Sequence, residues 1–305
     1  MLLCAGEALI DMLPRETAAG EAAFAPHAGG AVFNTAIALG RLGARTGFFT
    51  GLSRDLFGEM LAEALAASKV RSFAHLSDRP TTLAFVTLTA GHAKYAFYDE
   101  NTAGRMLTPA DLPVLPKEVK AAFFGGISLV VEPCGAAYEA LMAREAAGRV
   151  IMLDPNIRPG FIRNEAAYRA RIGRMIAMAD IVKLSDEDLH WLLGKGGTGA
   201  LAREVLAMGP KVVCITEGAA GARGVTASGE VFVTGEKVEV ADTVGAGDTF
   251  NAGVLASLDR EGALSKAGVA GLGEAALKAA LSLGCRAAAV TVSRAGANPP
   301  WSHEL

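Results

Sequence analysis

The sequence predicts an α/β fold: a central, mostly parallel sheet covered by helices on both faces, with a small β-sheet lid beside it. From residue 121 onward, short apolar runs alternate with stretches of helical periodicity. Continuous apolar strands separated by helices are typical of parallel sheets buried on both faces. A hairpin-like segment interrupts this alternation nearer the start of the chain. We therefore expect one three-layer domain over residues 1–305 with a small appendage.

The main unit is predicted element by element from its apolar periodicity. Strands are predicted at residues 1–10, 46–50, 121–131, 150–153, 181–184 and 212–216, and helices at residues 34–42, 55–68, 136–147, 165–179, 186–193 and 248–258.

The lid is predicted from two stretches. Residues 82–89 and 93–98, joined through Gly91, have the composition of a β-hairpin. Residues 11–27 are expected to be irregular because they are rich in small residues. We expect a lid over the first site, formed by residues 80–103 and part of residues 11–28. The alternative is an exposed edge ribbon without function.

Composition narrows the partners and the compartment. The chain has 51% hydrophobic and 20% charged residues and a net charge of −3, typical of globular proteins, so no nucleic-acid partner is expected. Four cysteines without a C-x-x-C pair indicate reduced thiols in a cytoplasmic protein. No apolar run is expected to approach membrane-spanning length, so no membrane partner is predicted.

The candidate chemistry lies at Asp248, which follows Gly245, Ala246 and Gly247 at the predicted start of a helix. The first N–H groups of a helix lack acceptors within the helix and attract anions. The three small residues leave these groups open to a phosphate. A carboxylate there does not favour phosphate binding, which suggests that Asp248 accepts a proton. Alternatively, Asp248 only caps the helix.

A second glycine pair, Gly29 and Gly30, precedes another predicted helix and would allow a ligand to approach closely. Asn34 follows in the first turn. Its amide can both donate and accept, so it could bind a substrate hydroxyl, or it could simply be a polar residue at a helix start.

Polar residues also follow the predicted parallel strands, where ligands gather in such folds. They are Glu132, Asp154 to Asn156 with Arg158, Ser185 to Asp188, and Thr216 to Gly221. A phosphate cradle, a carboxylate and strand-end polar groups fit phosphoryl transfer. No Walker A motif is present, the G-x-G-x-x-A match at Gly271 follows no strand, and the histidines show no metal-ligand spacing.

The motifs together resemble the ribokinase-like (PfkB) carbohydrate kinases, closest to the fructokinases. Two signatures and several shorter landmarks carry the resemblance across nearly the whole chain. They are Gly29-Gly30-x-x-x-Asn34 with Leu39-Gly40-Arg41-Leu42-Gly43, Asp242-Thr243-x-Gly245-Ala246-Gly247-Asp248-Thr249-Phe250, Gly6-Glu7-x-x-Ile10-Asp11, Asp55-x-Phe57-Gly58, Asp154-Pro155-Asn156-x-Arg158, Lys183-Leu184-Ser185 and Thr216-x-Gly218-x-x-Gly221.

The resemblance implies a Rossmann-like domain with a β lid, ATP as phosphoryl donor and Mg²⁺ as cofactor. It implies that Asp248 is the general base and that Gly245 to Gly247 form the anion hole, with Arg158 near the phosphates or the substrate. The remaining implied roles are sugar binding by Asp11, Gly29, Gly30 and Asn34, nucleotide binding by Ser185, Thr216, Gly218 and Gly221, a magnesium role for Asp188, and a potassium role for Asp242. The usual Asn-x-x-Glu near magnesium reads Ser185-Asp186-Glu187-Asp188 here, so the carboxylate predicted for the metal is one methylene shorter.

The resemblance favours fructose, phosphorylated at its terminal hydroxyl. Asp99 and Glu100 stand where relatives that act on acid sugars often have Arg, and two carboxylates would repel an anionic substrate. The alternatives are 2-keto-3-deoxygluconate, then ribose or a nucleoside, and from a different class a sugar-binding protein without catalysis. An apolar lid face would also permit a homodimer.

Overall fold

The computed structural model describes the backbone of residues 1–89 and 92–305, and the side chains outside residues 87–95. The strands, in chain order, are β1 (Leu2–Ala5), β2 (Leu9–Glu16), β3 (Ala22–Gly29), β4 (Thr46–Phe49), β5 (Gly51–Ser53), β6 (Val70–Ser72), β7 (His75–Ser77), β8 (Leu83–Thr89), β9 (His92–Tyr98), β10 (Ala121–Gly125), β11 (Val150–Asp154), β12 (Ile181–Ser185), β13 (Val212–Thr216), β14 (Gly221–Thr226) and β15 (Gly229–Thr234). The helices are α1 (Ala31–Arg41), α2 (Leu56–Ala67), α3 (Cys134–Glu145), α4 (Glu165–Met178), α5 (Asp186–Leu193), α6 (Thr198–Ala207), α7 (Ala246–Arg260), α8 (Lys266–Ala270) and α9 (Glu274–Val292).

The large sheet has nine strands in the order β15-β14-β13-β12-β11-β10-β1-β4-β6. Strands β13 to β6 in this order are parallel, while β14 and β15 pair antiparallel at one edge. Successive residues of a strand enter different cores, because side chains alternate between the faces of a sheet. In β1, Leu2 and Cys4 pack in one core, and Leu3 and Ala5 pack in the other.

The two cores place helices on opposite faces of this sheet. Buried residues of α1, α2, α7, α8 and α9 form the first core, and those of α3 to α6 form the second. The predicted α/β architecture, with a mostly parallel sheet between two helical layers, is confirmed. Because β11, β12 and β13 are parallel neighbours, their carboxyl ends lie side by side at the same end of the sheet. The polar residues that follow these strands can meet there.

A small sheet of order β3-β2-β8-β9 forms the predicted appendage. The expectation that residues 11–27 are irregular is wrong, because β2 and β3 pair antiparallel from Leu9 with Gly29 to Glu16 with Ala22. Their prolines do not disrupt the ladder, since Pro26 lies on the edge strand and Pro14 lies beyond Met12, where pairing with β8 ends. The single strand predicted for residues 1–10 is likewise two strands.

Helix α9 differs from what the sequence predicted about apolar segments. It is 19 residues long and, by length and composition alone, apolar enough to cross a membrane. The expectation that no apolar run approaches that length is wrong by these criteria. However, Leu277, Ala280 and Leu281 of α9 lie in the first core. A β-carbon on Gly253 of α7 would lie 2.6 Å from Gly284 Cα of α9, so α9 is a closely packed core helix.

Candidate active site

The start of α7 is built around an open helix end. Gly245 is its N-cap residue in the left-handed conformation, with φ 79°, and no side chain caps the helix. A β-carbon on Gly245 would lie 2.8 Å from Ala297 Cβ, so both the backbone and the packing require glycine here. Within the described residues, the N–H groups of Gly245 and Gly247 have no acceptor. These two donors are available to an anion.

Asp248 is the third residue of α7 and is 8% exposed. It does not cap the helix, because the hydrogen bond of its carboxylate is to Asn34, whose Nδ2 donates to Oδ2 at 2.9 Å. Burial raises the pKa of Asp248 to about 7, although the Asn34 hydrogen bond lowers it. A carboxylate with this pKa is suited to accept a proton near neutral pH.

The sugar-side residues predicted from sequence meet next to this carboxylate. Asn34 lies in α1, which begins at Ala31 rather than at Asn34 because Gly30, with φ 110°, is its N-cap. A β-carbon on Gly29 would lie 2.3 Å from Asp11 Oδ2, so Gly29 provides the space for that carboxylate. The contacts therefore run from Asp11 through the glycine pair to Asn34 and Asp248.

The two glycine-led helix starts differ in one respect. At α1, Glu7 Oε1 accepts the N–H groups of Ala31 at 3.0 Å and Val32 at 3.4 Å. Gly30 also packs closely against Glu7, since a β-carbon on Gly30 would lie 3.0 Å from the Glu7 backbone O and 3.2 Å from Glu7 Cγ. The anion-binding end of α1 is occupied, whereas that of α7 is open.

A buried ion pair lies beneath the start of α7. Lys183 Nζ donates to Asp154 Oδ2 at 3.0 Å, and Asn251 Nδ2 donates to the same oxygen at 2.7 Å. Both charged side chains are at most 5% exposed. A β-carbon on Gly247 would lie 3.1 Å from Lys183 Nζ, so the ammonium reaches the helix end itself.

Comparison with known proteins identifies the family. A model of the pfkB family carbohydrate kinases matches residues 1–304. The chain belongs to this family. The resemblance inferred from the sequence motifs is confirmed.

Individual relatives agree with the PfkB assignment. The chain is 59% identical over 279 residues to a fructokinase of Rhizobium leguminosarum bv. trifolii, covering 91% of this chain and 86% of that protein. It superimposes with a TM-score of 0.88 on a fructokinase with bound ATP from Xylella fastidiosa, at 27% identity and coverage of 97% and 93%. A Vibrio cholerae O395 fructokinase in a fructose, ADP and calcium ion bound form gives a TM-score of 0.82 at 26% identity, with coverage of 97% and 94%.

The residues predicted for the nucleotide lie at the ends of two paired strands. Ser185 of β12 is the register partner of Thr216 of β13. Gly218 has φ 56° and open space around it. Gly221 has a structural reason to be glycine, because a β-carbon there would lie 2.0 Å from the Val233 backbone O. Their nucleotide role stays a prediction.

The residues predicted for metals are engaged within the protein. Asp188 accepts the N–H groups of Ile157 at 3.0 Å and Ser185 at 3.3 Å, one with each carboxylate oxygen. Asp242 likewise accepts Val244 N–H and Gly296 N–H, each at 3.0 Å. Among the described residues, no group of three or more His, Cys, Asp or Glu could hold a metal ion. Both carboxylates hold loops in place, and their metal roles stay predictions.

Arg158 is not brought to the helix end. Its side chain is exposed, and its Nη1 donates to the neighbouring Ile157 backbone O at 3.0 Å. Within the described residues no hydrogen bond or ion pair joins it to the start of α7. Its predicted catalytic role therefore rests on the family motif alone.

The structure changes the electrostatic argument made for the lid. Arg105 Nη1 lies 2.9 Å from Asp99 Oδ1, so the Asp99 carboxylate is compensated. Asp99, Glu100 and Arg163 line one cavity of about 450 Å³ together with residues of β8 and β9. The inference that two carboxylates would repel an anionic sugar therefore loses the contribution of Asp99.

Three residues of this site received no role from the sequence, although two of them lie in family landmarks: Glu7, Lys183 and Asn251. A signal existed for Lys183, which interrupts the apolar run of β12 between Val182 and Leu184, both 0% exposed. A lysine inside a buried strand needs a partner, and Asp154 at the end of the neighbouring strand is that partner. The contacts of Glu7 and Asn251 gave no local signal, because their partners are distant in sequence.

Proposed function

We propose that this PfkB kinase is an ATP-dependent fructokinase that forms fructose 6-phosphate. The observation that carries the proposal is the buried Asp248 next to the open N–H groups of α7. Phosphoryl transfer from ATP to a hydroxyl needs a proton acceptor and a site for the transferred charge within one cleft. The choice of fructose is supported by the 59% identity to a fructokinase.

In the proposed reaction, the terminal hydroxyl of the sugar gives its proton to Asp248 while its oxygen attacks the γ-phosphorus of ATP. The bond between that phosphorus and the β,γ-bridging oxygen breaks, and ADP leaves with the electron pair. The N–H groups of Gly245 and Gly247 stabilise the charge on the phosphoryl oxygens. Closure of the small sheet over the sugar would exclude water and so limit ATP hydrolysis.

We also propose Mg²⁺ and K⁺ as cofactors. Mg²⁺ is usually bound by one or two carboxylates together with substrate phosphates, and it would neutralise phosphate charge. The carboxylates predicted for these ions, Asp188 and Asp242, already accept backbone N–H groups. They do not form a prepared ligand set, and no step is derived through either ion.

A substrate panel tests the function. ADP release is measured with ATP and fructose, ribose, 2-keto-3-deoxygluconate or adenosine, and a phosphoglucose isomerase coupled assay reports formation of fructose 6-phosphate. We expect the highest kcat/KM for fructose. A clear preference for another substrate would overturn the fructose assignment, and sugar binding without ADP release would support the sugar-binding alternative.

A second candidate substrate, 2-keto-3-deoxygluconate, is favoured by one observation. Arg163 lines the lid cavity together with Asp99, whose charge Arg105 compensates. An arginine in such a cavity is suited to bind a carboxylate. The panel distinguishes this candidate from fructose directly.

We further propose a homodimer through the small sheet. Phe24, Phe85 and Tyr98 form a continuous aromatic row across it, with ring centroids 5.0 Å and 5.4 Å apart. Phe24 is 43% exposed and Tyr98 is 63% exposed, an apolar area suited to a partner sheet. Sedimentation velocity is expected to show a dimer that Phe24→Asp converts to monomer. A monomeric parent protein would contradict the proposal.

A cytoplasmic location is proposed because Cys4, Cys134, Cys214 and Cys285 are all free thiols, as is usual in reducing compartments. Cell fractionation tests it, and recovery outside the cytoplasm would contradict it.

A further inference from the structure

The buried lysine of β12 has more hydrogen-bonding capacity than its ion pair uses. An ammonium has three donors, and among the described residues Lys183 Nζ has a single acceptor, Asp154 Oδ2 at 3.0 Å. The Lys183 side chain is only 5% exposed. Burying a charge costs free energy that one ion pair often fails to offset, so an ammonium with unused donors at this depth calls for a further ligand.

The position of the ammonium indicates what that ligand is. Lys183 Nζ would lie 3.1 Å from a β-carbon on Gly247, the second residue of α7. The unpartnered N–H groups of Gly245 and Gly247 are at the same helix end. A cation and two free amides therefore share one site, where each favours an anion. Because Gly247 has no side chain, nothing on that residue separates the ammonium from the anion.

The surrounding charges keep Lys183 protonated. Burial lowers the pKa of Lys183, but the carboxylates of Asp154, Asp188 and Asp248 outweigh this and leave the pKa above its ordinary value. Lys183 in turn lowers the pKa of Asp248. The ammonium therefore carries a full positive charge and also favours the ionised form of the base.

We propose that Lys183 is a catalytic residue that donates hydrogen bonds to the γ-phosphoryl oxygens of ATP during transfer. Asp154 and Asn251 are positioning residues, since both hold the Lys183 site through one carboxylate oxygen. Lys183 keeps its proton throughout, because the hydroxyl proton goes to Asp248 and the electron pair of the broken bond goes to ADP. This inference rests on the proposed kinase function and assigns its phosphate-binding cation.

A matched pair of variants tests the proposal. Lys183→Met removes the ammonium and keeps most of the side-chain volume. Lys266→Met is the control, because Lys266 also pairs with a buried aspartate, Asp180, at 2.6 Å. Asp180 accepts the N–H of Ile151, the second residue of β11. It therefore lies near the amino end of that strand, away from Asp154 at its carboxyl end. We expect Lys183→Met to lower kcat with fructose by about 10²-fold to 10³-fold, as for loss of a donor to a transferred anion, and Lys266→Met to leave kcat unchanged.

Calorimetry provides a readout that does not depend on turnover. We expect Lys183→Met to weaken binding of β,γ-imido-ATP by about tenfold or more while ADP binding stays within about threefold, since the γ-phosphate distinguishes the two ligands. Equal loss for both nucleotides, or unchanged kcat, would overturn the proposal. This readout applies even if no sugar is phosphorylated, an outcome that would refute the kinase function rather than the phosphate contact.

A second variant separates catalysis from folding. Asp154→Asn combined with Lys183→Met removes both charges, so no unpaired carboxylate remains buried if Lys183→Met alone fails to fold. We expect the double variant to fold and still to lack the preference for imido-ATP. Recovery of wild-type kcat in the double variant would show that Lys183 only balances the charge of Asp154.

Discussion

Asp248→Asn is expected to lower kcat for fructose by about 10² to 10⁴, the usual contribution of a general base. Asn keeps the shape of the side chain but cannot accept the hydroxyl proton. Sugar binding is expected to persist, because Asn34 and the α1 start remain in place. Steady-state kinetics and calorimetry with fructose measure the two effects. Unchanged turnover would refute the assignment of the base.

The same variant has a signature in pH dependence. The pKa of Asp248 is raised to about 7, and only its ionised form accepts a proton. We therefore expect kcat/KM of the parent enzyme to fall as the pH drops through about 7. The residual rate of Asp248→Asn is expected not to show this fall at low pH. Asp259→Asn is the control, because Asp259 lies near the other end of α7 and pairs with Lys120. This variant is expected to keep the parent rate and the same fall of kcat/KM at low pH.

Stability gives an independent check of the raised pKa. The unfolded carboxyl has a pKa of about 3.9, below the folded value, so the folded protein binds the extra proton between these values. Stability is therefore lost as pH rises across this window. We expect Asp248→Asn to be more resistant to urea than the parent at pH 8, and the difference to shrink at pH 4.

Gly245→Ala is the second substitution with a large expected effect. Alanine at φ 79° costs about 1–2 kcal/mol, and its β-carbon would lie 2.8 Å from Ala297 Cβ. The first turn of α7 must shift to relieve the contact. A displacement of about 1 Å at a catalytic group can cost about 10²-fold in rate. We therefore expect a lower midpoint of urea unfolding together with a loss of kcat of about 10²-fold.

Gly262→Ala is the matched control for this glycine. Gly262 has φ 67° and follows the other end of α7, and a β-carbon on it would meet no atom within 4 Å. It carries the backbone strain without the collision. We expect Gly262→Ala to cost about 1 kcal/mol with unchanged kcat. Equal kinetic effects of the two substitutions would contradict a local effect at the anion site.

The parts of this structure that sequence predicted are those with local signals. The open start of α7 could be read from three small residues before an apolar helical repeat, and the parallel sheet could be read from its continuous apolar strands. Strand β3 could not be predicted, because its four alanines and one proline give no alternation of large apolar side chains, and without β3 the extension of β2 beyond Ile10 had no visible pairing partner. Pairing between distant residues, such as Asn34 with Asp248, has no local signal at all.

Contacts that the sequence did not show in the site have the same origin. The repulsion predicted from Asp99 and Glu100 is reduced by Arg105, whose approach to Asp99 depends on the fold of the intervening loop. The magnesium role of Asp188 stays a prediction from a motif position, whereas its contacts with Ser185 and Ile157 are visible only in three dimensions. A sequence shows which residues are charged, but only the fold shows which neighbouring groups already compensate that charge.

Because the start of α1 is occupied by Glu7, the two helix starts at the cleft differ in what they can bind. Two helices begin with glycines at this cleft, and on geometry alone either could receive a phosphate. Glu7 takes the N–H groups at α1, so a negatively charged group gains nothing there, while the donors of α7 stay free. In the proposed reaction, this difference in charge would place the neutral hydroxyl at α1 and the charged phosphoryl group at α7. One carboxylate, 241 residues before the proposed base, would thus disfavour a reversed, unproductive complex.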